Sequence, residues 1–347
     1  MAETRTVDVI IVAYRNPGDV ISCLHALGQQ TLQGFQVHVC ENGGAEAFAH
    51  LARMMVDAGF DMDDEGTGTG RLARHRAAHA RDHSQFGQMH VRLHQASENL
   101  GYAGAINAVL ASPHTGAGDI WILNPDTEPT AGALAALQRR ADAGGYGIVG
   151  GRLVMRDTGR VQLDGGRWRK WIARGFNINF NVAADVAPDP ARVEAQMDYV
   201  SGACMYVSRA FRDDVGPMDD RYFLYAEEVD WCMRRGAHRL GFAPDAVIIH
   251  GHGTTTGSAG TLAARSALSV YLEHRNKHLI SRRHFPRAWP LIALVTLALT
   301  GEYLVKGAPR NFLVALSGWW HGLLGRTGRP DRVPFGGVNR GWPSATL

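Results

Sequence analysis

Cysteine is scarce: Cys23, Cys40, Cys204 and Cys232 are the four in 347 residues, with no CxxC pair and no metal-ligand spacing among them. That excludes a zinc ribbon and a disulfide-stapled scaffold, and it reads as buried thiols in a reducing compartment. A membrane-length hydrophobic run is also missing. The uncharged run Ala288–Gly301 has 14 residues, against the roughly 20 that a spanning helix needs. No secretory leader is expected, because residues 1–6 are polar and Val7–Ala13 is broken by Asp8. A dinucleotide loop is excluded as well: Gly66, Gly68 and Gly70 follow no strand and read as part of a linker, Asp61–Gly70.

An apolar fraction of 45% with 20% charged residues describes a globular chain of one large domain or two modest ones. The net charge of +3 is unevenly placed. From Arg275 onward eleven Lys/Arg face only Glu302 and Asp331, so the tail carries +9 and the remainder −6. A basic tail on an acidic body points to an anionic surface as partner.

The most informative stretch is Asp119–Pro129, DIWILNPDTEP. Its apolar run reads as a strand buried on both faces. Pro125 cannot donate to a ladder, so the strand stops and leaves Asp126 at its carboxyl edge, where ligands of open α/β sheets sit. A carboxylate there can hold a hard cation, which can hold a diphosphate; an Asx-type turn is the alternative use of the same residue. Ahead of it, VDVIIVA (Val7–Ala13), a helix from Asp19 or Ser22, and FQVHVC (Phe35–Cys40) closed by Glu41-Asn42-Gly43-Gly44 form a βαβ unit, which predicts parallel pairing. Asn99–Asn107, NLGYAGAIN, is a tight loop entering a helix, suited to anions.

Arg71–His83 carries His75, His79 and His83 at i, i+4, i+8. This predicts a helix with three imidazoles on one face, a solvated basic surface with no carboxylate or Cys to complete a metal site. Further on, Tyr199–Val207 predicts a strand and Tyr225–Arg235 a helix with Glu227, Glu228 and Asp230 in its first turn. The helix dipole there favours ionised carboxylates, as a general base requires; capping the helix is the alternative use. Phe242–His250 is a strand ending in His250 and His252, and Thr254–Gly260 is a loop able to close over a ligand. Two apolar segments, Ala288–Gly301 and Asn311–Gly325, are flanked by Arg, and Trp319-Trp320 lie in the second. They predict helices lying in a bilayer interface, with packing on the main domain or a homo-oligomer as the other uses. Nucleic acid is not an expected partner, because apolar residues and Trp dominate between the charges.

Taken in order, VIIVAYRNP, ENGG, NLGYAGAIN, LNPDT, SGACMYV, FLYAEEVDWCMR, IIHGHG and HRNKHLI resemble the family-2 inverting glycosyltransferases with a GT-A fold, in particular their bacterial rhamnosyltransferase-like branch. The likeness covers roughly residues 5–285. It implies an α/β fold with a mostly parallel central sheet flanked by helices, a transferase domain over 1–285 with an insertion at 57–89, and a C-terminal helical tail over 286–347. On the donor side it implies Ala13 and Tyr14 lining the base pocket beside Arg15, Glu41 where an Asp is usual, and Asn99, Gly101 and Asn107 at the sugar and diphosphate. Asn124 stands in the place of the first Asp of a DXD-type motif and Asp126 in that of its metal-binding acid, with His250 helping to hold metal or diphosphate. Glu228 matches the catalytic base, with Glu227 and Asp230 as competitors, and Ala226 replaces a bulky aromatic.

The implied reaction is a one-step inverting transfer from a nucleotide diphosphate sugar, dTDP-L-rhamnose ahead of UDP-sugars, to a surface-glycan or lipid-linked acceptor. Mg²⁺ or Mn²⁺ would sit on the diphosphate, and the protein would lie on the cytoplasmic face of the membrane. A sugar nucleotidyltransferase would carry a Gly- and Lys/Arg-rich signature that Asn16-Pro17-Gly18 does not supply. A catalytically silent binding subunit of a polysaccharide assembly complex is the reading from another class.

Overall fold

The computed structural model describes residues 6–63, 66–251 and 261–335. They gather into two compact units. The first holds the chain up to Trp168, Gly175–Phe223 and the stretch from Glu227 to the last strand; the second holds Arg169–Arg174, Leu224–Ala226 and the C-terminal helices. The sequence motifs put a boundary at 285/286, whereas contacts group the helix ahead of it with the C-terminal helices.

β1 (Val7–Ala13), α1 (Pro17–Gly28) and β2 (Gln36–Glu41) are the anticipated βαβ unit. α2 (Ala45–Asp57), β3 (Phe60–Met62), β4 (Gly66–Thr67), β5 (Leu72–Ala80), α3 (His83–Phe86) and β6 (His90–Ala96) follow. Next come α4 (Gly101–Leu110), β7 (Asp119–Leu123), β8 (Thr127–Pro129), α5 (Ala133–Asp142), β9 (Tyr146–Met155) and β10 (Val161–Leu163). β11 (Gly166–Arg169), β12 (Arg174–Asn177), α6 (Pro190–Gln196), β13 (Cys204–Val207), α7 (Arg209–Val215), α8 (Glu227–Met233) and β14 (Arg239–His250) complete the elements ahead of the C-terminal helices.

Twelve strands form one sheet in the order β3-β5-β6-β2-β1-β7-β13-β9-β14-β8, with β10 added to β9 and β4 to β5. Parallel pairing holds for the run β6-β2-β1-β7 and for β9 with β14. Elsewhere the sheet is mixed, because the short connections from β5 to β6 and from β9 to β10 permit only antiparallel ladders. Val7, Val9, Ile11 and Ala13 of β1 share the main apolar cluster with α1, α2 and α5. The opposite face of the sheet meets α4.

The segment Arg71–His83 is a strand in its first part and not the expected helix. Leu72, Ala78 and Ala80 are buried, and β5 pairs antiparallel with β6, Ala78 opposite Val91. A spacing of four residues is also twice the strand period, so His75 and His79 share a strand face as they would a helix face. The Asp61–Gly70 stretch is likewise not a plain linker: β3 and β4 extend the sheet edge beside β5. Among the described residues no group of three metal-ligating side chains occurs. The strand expected over Tyr199–Val207 shortens to β13.

Asp8, which breaks the first apolar run, is buried and paired. Its carboxylate meets His38 Nε2 at 3.2 Å and accepts from the Gly116 N–H at 2.8 Å. His38 Nδ1 meets His94 Nε2 at 3.1 Å, so one polar file runs across β1, β2 and β6 inside the sheet.

The second unit contains α9 (Ala267–His284), α10 (Trp289–Thr300), α11 (Glu302–Val305) and α12 (Pro309–Leu323). Gly318 and Gly322 of α12 let it approach α9: a Cβ at either would fall 2.3 Å from the Tyr271 carbonyl oxygen or 2.6 Å from that of Arg275. α9 buries charged groups along with apolar ones. Glu273 takes Arg265 at 2.6 Å and Lys277 at 3.5 Å. Asn276 donates to the carbonyls of Leu224 and Tyr225, both at 2.8 Å.

Burial, helped by His38, Arg92, His75 and His114, pushes the His94 imidazole down to about 2. The unfolded chain therefore takes up a proton as pH falls below 6.5, while the native state does not until far lower. Stability is full above that value and declines below it, by up to about 1.4 kcal/mol per pH unit. Urea unfolding at several pH values should show His94→Gln with a shallower decline than the parent between neutrality and about pH 5. Equal slopes would mean that His94 is not the buried neutral group.

Candidate active site

Parallel pairing brings the carboxyl ends of four strands to one edge. Ala13 sits opposite Glu41, Glu41 opposite Gln95, and Ile11 opposite Leu123. The turns that follow therefore lie side by side: Tyr14-Arg15-Asn16 after β1, Asn42-Gly43-Gly44 after β2, Ser97–Leu100 after β6 and Asn124–Asp126 after β7. This is the edge at which open α/β sheets bind ligands.

Glu41 organises the first two turns. Its Oε1 accepts from the N–H of Arg15 at 3.2 Å and of Gly43 at 2.6 Å. Oε2 is buried with no hydrogen-bond partner among the described residues. Burial pushes the carboxyl up, and those backbone bonds only partly offset it. Arg15 takes a left-handed φ of 56° and its guanidinium donates to the Gly43 carbonyl at 3.3 Å. Tyr14 is half-buried beside the fully buried Ala13.

Asn42 carries no signal of its own in the sequence beyond its place in a glycine turn. It accepts from the Leu100 N–H and donates to the Gly101 carbonyl, both at 2.9 Å, and so clamps the end of β2 to the start of α4. Asn99 Oδ1 accepts from the Gly101 N–H at 3.1 Å. Gly101 has φ of +73°, and a Cβ there would lie 2.1 Å from the Phe223 carbonyl oxygen, so only glycine fits. Asn107 lies farther along α4 and donates to the Met218 carbonyl at 2.8 Å.

Past β7 the turn is closed by the Asn124 carbonyl, which accepts from the Thr127 N–H at 3.3 Å and its hydroxyl at 2.6 Å. β8 then pairs with β14, Thr127 opposite His250, and the Gly251 N–H donates to the Asp126 carbonyl at 2.8 Å. This register sets Asp126 Oδ1 3.3 Å from His250 Nε2, both residues buried. Burial pushes the Asp126 carboxyl up, but the His250 bond and charge outweigh it and hold it below its ordinary value. His250 Nδ1 meets Gln162 Oε1 at 2.6 Å. Gln162, on β10, has no motif around it in the sequence. His252 and the Thr254–Gly260 loop lie outside the described residues.

The three acids of α8 have different surroundings. Asp230 is fully buried and engaged by Arg234 at 2.8 Å and by the Tyr222 hydroxyl at 3.3 Å. Glu227 is also buried, and its Oε2 has no hydrogen-bond partner among the described residues. Burial and the neighbouring Glu228 push its carboxyl well above the usual range. For Glu227, burial and the like charge of Glu228 thus work against the ionised state expected from the helix dipole. Glu228 is partly exposed. Just ahead, Phe223, Tyr225 and Ala226 adopt positive φ values of 65°, 71° and 72°, strain of a kind that gathers at functional sites.

The donor set suits one hard divalent cation. Asp126 and His250 supply two groups that converge, and a cation such as Mg²⁺ takes few protein ligands and fills the rest of its shell with phosphate oxygens and water.

No family model matches the chain. It is 29% identical over 244 residues to the N-acetylglucosaminyl-diphospho-decaprenol L-rhamnosyltransferase of Mycobacterium tuberculosis, covering 64% of this chain and 78% of that protein. It is 22% identical over 243 residues to the low-salt glycan biosynthesis hexosyltransferase Agl10 of Haloferax volcanii, covering 68% and 76%. Among solved structures it resembles the mannosyltransferase PcManGT from Pyrobaculum calidifontis in complex with GDP-Man and Mn²⁺, with a TM-score of 0.52 at 13% identity over 94% of this chain and 88% of that one. GalNAc-T7 with UDP, GalNAc and Mn²⁺ gives a TM-score of 0.53 at 12% identity over 80% and 51%. Such distant structural likeness speaks for the fold, and the sequence relatives for the kind of enzyme. The chain is a glycosyltransferase of GT-A fold, similar in sequence to a rhamnosyltransferase and a hexosyltransferase.

Proposed function

We propose that the protein moves a sugar, best taken as L-rhamnose from dTDP-L-rhamnose, to a hydroxyl of a lipid-linked or surface saccharide in one inverting step. The observation that carries this is the surroundings of Tyr102. Its hydroxyl donates to the Gly202 carbonyl at 2.7 Å, and after burial, Glu227, Glu228 and Asp126 are among the groups that push its phenol up. One side chain thus feels the acids of α8 and the acid after β7, the two halves that such a transfer needs.

In this reading Glu41, Tyr14 and Arg15 seat the base, and the turn at Asn99–Gly101, held by Asn42, sets the wall beside the diphosphate. Asp126 and His250 would hold Mg²⁺ or Mn²⁺, which supplies charge neutralisation to the leaving diphosphate without proton movement. Glu228 accepts the acceptor hydroxyl's proton as that oxygen attacks the anomeric carbon from the face opposite the leaving group. Its partial exposure lets an acceptor reach it, which burial denies to Glu227 and the Arg234 pair to Asp230. Glu227, held neutral beside it, keeps a second negative charge away from the incoming diphosphate.

A separate observation favours a lipid surface as partner. Among the described residues, nine of the twelve exposed large apolar side chains belong to the second unit, including Leu291 and Leu294 of α10, Val305 of α11 and Trp320 of α12. No described helix is long and apolar enough to cross a membrane. With the basic tail, this fits peripheral contact with anionic lipid on the cytoplasmic side, where a lipid-linked acceptor would also lie.

Release of nucleoside diphosphate, followed with dTDP-L-rhamnose, Mn²⁺ and a lipid-linked acceptor, tests the acids. Glu228→Gln should lower kcat by about 10²–10⁴-fold, whereas Glu227→Gln, isosteric with the neutral acid, should stay within about tenfold of the parent. Near-normal turnover by Glu228→Gln would remove the base assignment. Asp126→Ala should abolish the Mn²⁺-dependent rate, and an intact rate would end the donor-site reading. Sedimentation with vesicles should show binding to phosphatidylglycerol, not to phosphatidylcholine, and its loss in Leu294→Asp/Trp320→Asp. Unchanged binding, or a dimer split by these changes with no vesicle binding, would refute the lipid reading.

A further inference from the structure

We propose that Gln162 is a positioning residue that fixes the proton of His250 on Nδ1 and thereby keeps Nε2 available, beside Asp126, for a cation. The inference rests on the metal reading above and concerns a residue which that reading does not use. A carbonyl oxygen only accepts, so the 2.6 Å contact between Gln162 Oε1 and His250 Nδ1 requires the hydrogen on Nδ1. In the neutral ring the other nitrogen then carries a lone pair. That nitrogen faces Asp126 Oδ1 at 3.3 Å, and a carboxylate oxygen is likewise an acceptor. Two acceptors facing one another at this distance in a buried place repel unless a positive species lies between them. The geometry thus prepares a place for a proton or a metal cation.

The backbone holds Gln162 there independently. β10 pairs antiparallel with β9, Val161 opposite Val154 and Leu163 opposite Leu153, and the Gln162 carbonyl accepts from the Asn177 side chain at 3.1 Å. β9 in turn pairs with β14 through His250, opposite Met155. The orienting amide and the imidazole therefore ride on strands tied to the same neighbour. A glutamine, unlike a carboxylate, orients the ring without adding charge. Ligating histidines are commonly oriented in this way by an acceptor on the second nitrogen.

The test is Mn²⁺ binding with dTDP present, read from the loss of the free-ion paramagnetic resonance signal with no acceptor and no turnover. Gln162→Leu, which keeps volume and removes the acceptor, should weaken binding by about 10–100-fold. Gln162→Glu, which restores an acceptor, should return binding to the parent's range or tighter. Thermal melting of the metal-free variants near the parent's temperature supports a role in orientation. Parent-like binding by Gln162→Leu while Asp126→Ala loses binding would overturn the proposal and leave the metal reading standing. Binding by Gln162→Glu as weak as that of Gln162→Leu would overturn it as well. Parent-like binding by Asp126→Ala would instead strike the metal reading itself, and the proposal with it.

Discussion

The arrangement depends on one reversal of the chain. β7 is buried along its whole length, and the ladder ends where Pro125 has no N–H to give. The Asn124 carbonyl then gathers both the backbone and the hydroxyl of Thr127, so the next residues turn back and pair with the end of β14, three places along the sheet from β7. Without that turn Asp126, which follows β7, and His250, at the end of β14, would not share a site, since the two strands do not pair with each other. The carboxylate that could have capped the turn is freed to face the imidazole, because the main chain and Thr127 do the closing.

The same economy of environment sorts the acids. Spacing alone does not separate Glu227, Glu228 and Asp230, since all three fall in one helical turn; only the family resemblance singles out Glu228. Burial separates them: Asp230 has a guanidinium at hydrogen-bond distance, Glu227 has a like charge beside it, and Glu228 keeps contact with solvent. A guanidinium pair, burial beside a like charge and access to solvent are three different surroundings, and one short helix supplies all of them.

Much of the fold is legible in the sequence because it is local. The strands Val7–Ala13 and Asp119–Leu123 follow from apolar runs, proline and turn residues. Arg71–His83 misleads because a four-residue spacing satisfies both the helix and the strand period, and only the partner strand β6 decides between them. The supporting residues are not legible for a related reason. Asn42 reaches across 58 residues to Leu100, and His250 across 88 to Gln162, and no periodicity links positions that far apart. Asp126, Glu228 and His250 sit in recognisable motifs, whereas Asn42 and Gln162 meet their partners only through the topology.

α9 shows the same principle in the second unit. Its Arg275, Asn276, Lys277 and His278 are all buried, a pattern that no amphipathic template anticipates. Burial raises the Glu273 carboxyl, and Lys277 and Arg265 more than reverse that, so the charges are matched inside the unit. Asn276 is the informative member. Arg275 Nε donates to its Oδ1 at 3.0 Å, which turns the amide nitrogen toward the carbonyls of Leu224 and Tyr225. Tyr225 is held again by its hydroxyl against Ser269 at 2.8 Å. Tyr225 and Ala226 are non-glycine residues in left-handed conformations, and such backbone persists only where its surroundings over-determine it. The dipeptide Arg275-Asn276 and Ser269 provide that determination, for the segment that leads directly into Glu227 and Glu228.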